Sequence, residues 1–381
     1  MISAHRQADP CMQILRNPSA DRDALYGEQE RAVVSHEHSI RAARLLQDCP
    51  LHTPTPLREL EVLAARLGLS RILIKDESER LGLSSFKALG GAYAVMLRSP
   101  HSPVRREPDT AQSQEPTFVT ATDGNHGISV AAGAWMSGCK AVCFLPRHVE
   151  RAYEEAMRLF GAQVVRLNGT YDLAVEQAKA AAASNGWVLV SDTTDEPFDP
   201  VTRDVLAGYG VMVDECAAQL TARSQLYGKD AVTHVFIQGG VGGLAAAFAG
   251  GFWQLLDSRR PTIVVVEPES ADCLFQTARH DELRHASGNL ETCMGMLSCG
   301  RPSRMAWTVL RRAADFFITI ADASAEAGVA AYAAEPAIGG RATTPSGAAG
   351  LSGLIERNDV GHFPQGHEDC KARRQARRID A

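Results

Sequence analysis

The chain has 381 residues, of which 45% are hydrophobic and 22% charged, and its formal net charge is -6. This length suits two domains, or one large domain with an inserted lobe. The acidic balance argues against a nucleic-acid partner, which usually requires a basic patch. No apolar leader and no apolar run of membrane length are found, which predicts a cytoplasmic protein without a membrane partner. The nine scattered cysteines include no CxxC pair, so we expect reduced thiols and no metal site.

Short β-branched runs alternate with alanine-rich segments along most of the chain. The runs predict strands at residues 71–77, 117–123, 141–146, 162–168, 187–192, 233–238, 262–268 and 316–322. The alanine-rich segments predict helices at residues 127–138, 150–162, 170–184 and 242–256. This alternation predicts an α/β fold with mostly parallel strands and right-handed crossovers.

Three polar segments interrupt this pattern. Residues 98–116 are rich in proline and predict an exposed loop, and residues 195–204 predict a crossing between lobes. Residues 360–381 are polar and basic, and we expect them to form a frayed tail.

Lys87 lies in the stretch SSFKALGG, between Phe86 and small apolar residues. A buried, unpaired ammonium group is costly and tends to lose its charge. Either the side chain therefore reaches water, or its amine is kept neutral for chemistry. We favour the second interpretation, because a desolvated neutral amine is a good nucleophile.

Two further loops lie between a predicted strand and a predicted helix. The loop QGGVGGL at residues 238–244 brings backbone N–H groups together at a helix N-terminus, which suits a phosphate group. Its spacing is not the GxGxxG of a dinucleotide site. In the loop TDGNHG, Asp123 and Asn125 follow a strand at the edge where α/β sheets bind ligands, although one of them could simply cap the helix. An amine, a phosphate cradle and a polar loop together indicate pyridoxal 5'-phosphate.

The segments SSFKALGGAYA, ATDGNHG, QGGVGGL and TTPSGAAGL occur in the order seen in fold-type II pyridoxal-phosphate enzymes, the group of tryptophan synthase β and threonine dehydratase. Within this group the sequence most resembles the diaminopropionate ammonia-lyase family, over roughly residues 50–355. The segments KDES, VSDTTDE, LAGYGVMVDE and ETCMGMLSCGRPS add to the resemblance. It implies two open, twisted, mostly parallel sheets in a large and a small lobe, with the cofactor between them.

The resemblance also implies roles for individual residues. Lys87 matches the lysine that bonds the cofactor, with Phe86 beside it, and Asn125 matches the contact to the ring hydroxyl. Ser346 matches the hydroxyl residue near the pyridine nitrogen. The phosphate loop matches Gly239, Gly240, Val241, Gly242 and Gly243.

Asp123 and Asp192 match the acidic residues of the lyase site. Asp123 would hold the β-ammonium group of diaminopropionate, or act as a base on the face of Cα opposite Lys87. Asp192 alone could equally be a turn residue at a strand end. Cys273 and Cys299 match cysteine positions of the lyase and could pair, although free thiols are the default in a reducing compartment.

The implied reaction is α,β-elimination of D- or L-2,3-diaminopropionate, a small-molecule amino acid substrate, to pyruvate and two ammonia. Two alternatives remain open. One is a related dehydratase or deaminase of serine, threonine or hydroxyaspartate, and the other is a catalytically decayed protein that still binds the cofactor.

The expected large domain comprises residues 1–90 and 200–381, and the small domain residues 91–199, in a homodimer. The sequence departs from the family pattern at Pro345, where relatives commonly carry glutamate. It also lacks the final apolar strand that the resemblance implies after residue 359.

Overall fold

The computed structural model describes residues 12–102 and 115–359. Most of the predicted loop at 98–116, and the whole predicted tail at 360–381, lie outside these residues. The described strands are β1 (Gln13–Arg16), β2 (Leu57–Glu59), β3 (Leu73–Lys75), β4 (Thr117–Ala121), β5 (Lys140–Leu145), β6 (Gln163–Arg166), β7 (Val188–Leu189), β8 (His234–Gln238), β9 (Thr262–Pro268) and β10 (Phe316–Ile320).

The described α-helices are α1 (Glu28–Val33), α2 (His36–Leu46), α3 (Glu61–Leu67), α4 (Lys87–Arg98), α5 (Asn125–Met136), α6 (Arg151–Leu159), α7 (Tyr171–Asn185), α8 (Pro200–Ala222), α9 (Gly243–Leu256), α10 (Cys273–His280), α11 (Arg304–Ala313), α12 (Asp322–Ala333) and α13 (Pro345–Asp359). None of the helices in the described ranges is long and apolar enough to cross a membrane.

Two four-stranded sheets form the framework. One has the order β6-β5-β4-β7 and is parallel throughout, and the other has the order β1-β10-β9-β8 and is parallel except for β1. The predicted α/β fold and all eight predicted strands are therefore confirmed. Strands β1 and β2 were not predicted because each has only three or four residues and little periodicity. Strand β3 pairs with β2 in a separate antiparallel ribbon.

The first sheet lies within the range predicted for the small domain, but the domain boundaries themselves stay a prediction. The predicted crossing at 195–204 is shorter than expected, because α8 begins at Pro200. The Asp199 side chain caps this helix by accepting a hydrogen bond from the Thr202 amide at 2.6 Å. Proline is well suited to the first helical position, where its missing N–H group has no intrahelical partner.

The two glycines after Lys87 let α4 pack tightly between α5 and α8. A Cβ atom on Gly90 would lie 2.8 Å from the Val205 carbonyl oxygen, and one on Gly91 would lie 2.7 Å from Ser129 Oγ. Such distances are shorter than van der Waals contact, so larger residues would push the helices apart. The glycines therefore fix the helix whose first residue is Lys87.

Candidate active site

A cavity of about 1420 Å³ lies where the loops of both sheets meet. Every predicted site residue lines it except Gly239, whose backbone faces the core beneath the loop. The lining residues come from distant parts of the chain, namely α4, the loops after β4, β7 and β8, and the start of α13. The structure therefore brings the four sequence motifs together in one place.

Lys87 projects its ammonium group toward Asp192. The Nζ atom forms an ion pair with Asp192 Oδ2, and it lies 5.7 Å from the ring centre of Phe86 and 5.9 Å from that of Tyr209. Burial lowers the pKa of Lys87, but the Asp192 carboxylate raises it by more, so the net pKa is above its usual range. The prediction of a neutral amine is wrong for this arrangement, because the sequence did not reveal the carboxylate 105 residues further along the chain.

Asp192 follows β7 at the edge of the parallel sheet. Burial raises the pKa of its carboxyl group, but Lys87 and then His126 lower it more strongly, to about 2. The group is therefore a carboxylate at neutral pH. The alternative that Asp192 is only a turn residue does not account for its ion pair with Lys87.

Asp123 follows β4, the strand next to β7. Its Oδ1 atom is buried and has no hydrogen-bond partner among the described residues, and the nearest cation is His148, whose Nε2 atom lies at 3.4 Å. Burial raises the pKa of Asp123, whereas His148 lowers it. Asp123 thus differs from Asp192 in that no buried ammonium group neutralises it directly.

The order of the strands explains this cluster. Strands β5, β4 and β7 are neighbours and parallel, so their carboxyl ends lie at one edge of the sheet. His148, Asp123 and Asp192 each follow one of these strands by two or three residues. Parallel strands of an α/β sheet bring ligand-binding side chains together at this edge.

The glycine loop has the geometry of an anion cradle. Gly242 has φ +97°, a conformation that favours glycine, and it immediately precedes the 14-residue helix α9. A Cβ atom on Gly240 would lie 3.2 Å from Cys299 Sγ, so the absence of a side chain keeps the loop open. Unpaired amides at the helix N-terminus, together with the helix dipole, suit a phosphate group.

The back of this loop is held by the core. The Gly239 amide donates to the Val266 carbonyl oxygen at 2.7 Å, and the Ser303 amide donates to the Val241 carbonyl oxygen at 2.8 Å. A Cβ atom on Gly239 would lie 2.8 Å from Glu267 Cγ, which excludes larger residues there. The loop is therefore fixed before any ligand binds.

Asn125 and Ser346 line the cavity from two helices that pack against different sheets. Asn125 is the first residue of α5, and Ser346 lies in the first turn of α13. Ser346 Oγ accepts a hydrogen bond from the Met296 amide at 3.1 Å, which leaves its own proton available to a ligand. Pro345 is the first residue of α13, a position that suits proline, so this departure from the family pattern is compatible with the helix.

Sequence reasoning missed three residues of the cavity region. His126 is buried and forms a 3.1 Å hydrogen bond between Nε2 and the Val190 carbonyl oxygen, and burial lowers its pKa. Tyr171 begins α7, and burial raises its pKa well above the usual range. His148 is the third. Their positions in the sequence could have revealed these residues, because all three follow predicted parallel strands, whose carboxyl ends lie at the same edge of the sheet.

Cys273 and Cys299 are both free thiols in the structure. Cys273 Sγ lies 3.5 Å from the Gly240 carbonyl oxygen, and Cys299 lines the cavity beside the same glycine. Burial raises the pKa of Cys299 to about 12, so this thiol stays protonated at neutral pH.

The amine of Lys87, the glycine loop and the free hydroxyl proton of Ser346 fit a phosphorylated aldehyde cofactor. The sequence matches the family described as pyridoxal-phosphate dependent enzyme over residues 49–369. The chain belongs to this family. Its cofactor is pyridoxal 5'-phosphate, as the sequence predicted.

The similar proteins include ammonia-lyases. Diaminopropionate ammonia-lyase of Salmonella typhimurium is 34% identical over 333 residues, which cover 82% of this chain and 80% of that protein. The structure of diaminopropionate ammonia lyase from Escherichia coli, in complex with an aminoacrylate-PLP azomethine reaction intermediate, has a TM-score of 0.79 at 29% identity, covering 93% of this chain and 88% of that one.

A dehydratase is also similar. The processed form of threonine deaminase isoform 2 from Solanum lycopersicum has a TM-score of 0.67 at 25% identity and covers 85% of this chain and 81% of that one. The predicted fold class, that of fold-type II pyridoxal-phosphate enzymes, is confirmed by these structures.

Proposed function

We propose that this enzyme eliminates both amino groups of 2,3-diaminopropionate and releases pyruvate and two ammonia. The observation that carries the proposal is that Asp123 and Asp192 share one cavity with Lys87. The β-ammonium group of this substrate needs a counter-charge, and the Asp123 carboxylate can hold it by a charge-assisted hydrogen bond while Asp192 pairs with Lys87. The names of the relatives with 31–34% identity support the same substrate.

We assign the anchoring of the cofactor to residues on both sides of the cavity. Lys87 bonds it through Nζ, the amides of the loop at 239–243 hold its phosphate, and Asn125 and Ser346 contact its ring. When bound, pyridoxal phosphate withdraws electrons from the Cα atom of the amino acid that it carries. Phe86 and Tyr209 pack their rings beside the Lys87 amine.

Proton transfer at Cα falls to Lys87 or Asp123, according to the isomer. Lys87 Nζ removes the α-proton of one isomer, and the Asp123 carboxylate removes it from the opposite face for the other. The β-amine leaves as ammonia, and hydrolysis of the remaining three-carbon fragment gives pyruvate and the second ammonia. Asp192, which is ionised, balances the charge of Lys87 while its proton is gained and lost.

The direct test is release of pyruvate and ammonia by the holoenzyme from D- and L-2,3-diaminopropionate, with serine and threonine as comparison substrates. Turnover of the diamino acid with two ammonia per pyruvate supports the proposal. Turnover of the hydroxy amino acids alone would assign the protein to the dehydratases and remove the role given to Asp123. Cofactor binding without turnover would indicate the catalytically decayed alternative.

We further propose, from the family resemblance, that the enzyme is a cytoplasmic homodimer with its cofactor between a large lobe (1–90 and 200–381) and a small lobe (91–199). Light scattering of the purified holoenzyme measures the mass directly. A monomer mass near 41.0 kDa would contradict the dimer. Limited proteolysis tests the boundaries, because domain junctions are preferred cleavage sites.

A further inference from the structure

Within the described residues, His148 is the basic side chain that contacts Asp123, which lines the cavity. The imidazole follows β5 and is 64% exposed, whereas the Asp123 side chain is 20% exposed. The Nε2 atom lies 3.4 Å from Asp123 Oδ1, which has no other described polar partner. Asp123 is thus a partly buried carboxyl group with one buried oxygen, and an exposed histidine is the described polar contact of that oxygen.

The turn that carries His148 is rigid. Arg166 Nη1 donates to the carbonyl oxygen of Arg147 at 3.1 Å and to that of Val149 at 2.7 Å, so it clamps the backbone on both sides of His148. The Arg166 guanidinium is itself held by Glu154 at 2.8 Å. The backbone on both sides of His148 is therefore held by built interactions.

We propose that His148 is a positioning residue that keeps Asp123 in its charged, base-competent form. This inference rests on the function proposed above, because it gives Asp123 the task of binding or deprotonating substrate. Both tasks require a carboxylate, and burial opposes that form. A neighbouring imidazolium restores it, as an opposite charge within about 4–6 Å does.

Other titratable groups also face the pair. Asp123 also faces Lys87 from α4, Asp192 after β7, Tyr171 from α7, and Cys299. Lys87 is engaged by Asp192, and Tyr171 and Cys299 are neutral at neutral pH because burial raises their pKa values. Arg166 lowers the pKa of His148, but the Asp123 carboxylate outweighs it and raises the pKa overall.

The first test observes the pair without catalysis. In holoenzyme containing ¹³C-labelled histidine, the His148 signal is assigned by its loss in His148→Gln and is titrated in wild type and in Asp123→Asn. We expect the midpoint of His148 to fall in Asp123→Asn. His38, whose pKa burial lowers and which does not line the cavity, is an internal control whose signal stays unchanged. Identical His148 titrations in both proteins would overturn the proposal, whatever the substrate is.

The second test measures the pH dependence of kcat/KM with diaminopropionate. In His148→Gln the pKa of Asp123 rises, so the acid limb moves to higher pH, with a loss of about two- to fivefold on that limb, the range for an ion pair with an exposed member. At pH values well above the limb Asp123 is ionised in either protein, and the rates converge. His148→Lys, which keeps a positive charge at this position, returns the acid limb of the kcat/KM profile toward its wild-type position.

The matched control is Arg147→Gln, which removes a cation from the same exposed turn without contacting Asp123. A loss in His148→Gln that is uniform across pH, or one that Arg147→Gln reproduces, would make His148 merely structural and would contradict the proposal. If the holoenzyme does not turn over diaminopropionate, the proposed function fails, and the titration of His148 still decides whether the pair exists.

Discussion

The two walls of the cavity supply polarity in different ways. The glycine wall, residues 239–243 with Ser346, offers backbone amides and a hydroxyl group. The carboxylate wall, formed by Asp123 and Asp192 with His148 beside Asp123, offers ionisable side chains. Backbone dipoles do not titrate, so one wall can hold a phosphate at any pH, while the other can move protons. On the function proposed above, the glycine wall anchors the cofactor and the carboxylate wall carries the chemistry.

Lys87 joins the two functions, and its removal is expected to have the largest effect. Lys87→Ala deletes the covalent anchor and one base, so we expect kcat to fall by at least about 10³–10⁴-fold and the visible absorbance of the lysine-bonded cofactor to disappear. Absorbance spectra and steady-state kinetics measure both.

Lys75 offers a matched control for Lys87. It is also a lysine held by a carboxylate, with Nζ 2.7 Å from Glu215 Oε2. Lys75→Ala is expected to lower stability but to keep the cofactor band. Loss of that band in Lys75→Ala and its survival in Lys87→Ala would contradict the assignment.

Asp192→Asn should have the next largest effect, because it removes the charge that balances Lys87. The ammonium group would remain buried without its partner, and its pKa would fall. We expect kcat to drop by about 10²-fold, with a smaller effect on cofactor affinity. A variant that lost cofactor but kept its turnover rate at saturating cofactor would move Asp192 from the chemistry to anchoring.

Glu267 is a titratable group on the side of the cavity where the glycine wall otherwise offers only backbone amides and a hydroxyl group. It lies directly behind that wall. Its carboxyl group is fully buried and accepts hydrogen bonds from the Leu274 amide at 2.9 Å and the Phe275 amide at 2.7 Å. Burial nevertheless raises its pKa to about 8. Because the pKa of Glu267 is higher in the folded protein than in the unfolded chain, its protonated carboxyl group contributes fully to stability below about pH 4.5. This contribution is lost as the pH rises through 8.

Glu267→Gln should therefore flatten the pH dependence of stability. Between pH 5 and pH 8 the wild-type free energy of unfolding is expected to fall by on the order of 2 kcal/mol more than that of the variant. Urea unfolding at several pH values measures this. The exposed Glu282→Gln is the control, and equal slopes in wild type and Glu267→Gln would rule out a buried titrating carboxyl group.

Gly242→Ala should have the smallest effect and tests the glycine wall alone. Its φ of +97° disfavours alanine, and the added Cβ would lie 3.1 Å from Ala306 Cβ. We expect a loss of about 1–2 kcal/mol in stability and a several-fold weaker affinity for the cofactor, with the pH profile unchanged.

Gly161→Ala provides the matched control for Gly242. Gly161 has φ +74° and open space around it, far from the loop. Alanine at this positive φ should lower the stability of the Gly161→Ala variant without changing its affinity for the cofactor. Equal affinity losses in both variants would mean that the shape of the glycine loop does not hold the phosphate.

The sequence alone determined the fold class and the cofactor, and it predicted the residues that anchor the cofactor. Strand runs such as 262–268 are continuous because parallel strands are buried on both faces, and this pattern can be seen locally. Glycine clusters and the lysine between apolar residues are also local signals, because they reflect what the backbone or a single side chain requires.

Only the tertiary structure decided how the polar groups pair. The ion pair of Lys87 with Asp192 and the contact of Asp123 with His148 join residues that are 105 positions apart and residues from neighbouring loops. Their charge states depend on which strands are neighbours, here β5, β4 and β7, and strand order leaves no trace in a single strand's sequence. The prediction of a neutral Lys87 was wrong for this reason. The sequence around Lys87 indicates that its amine is buried, but it does not show the distant carboxylate that keeps the buried amine charged.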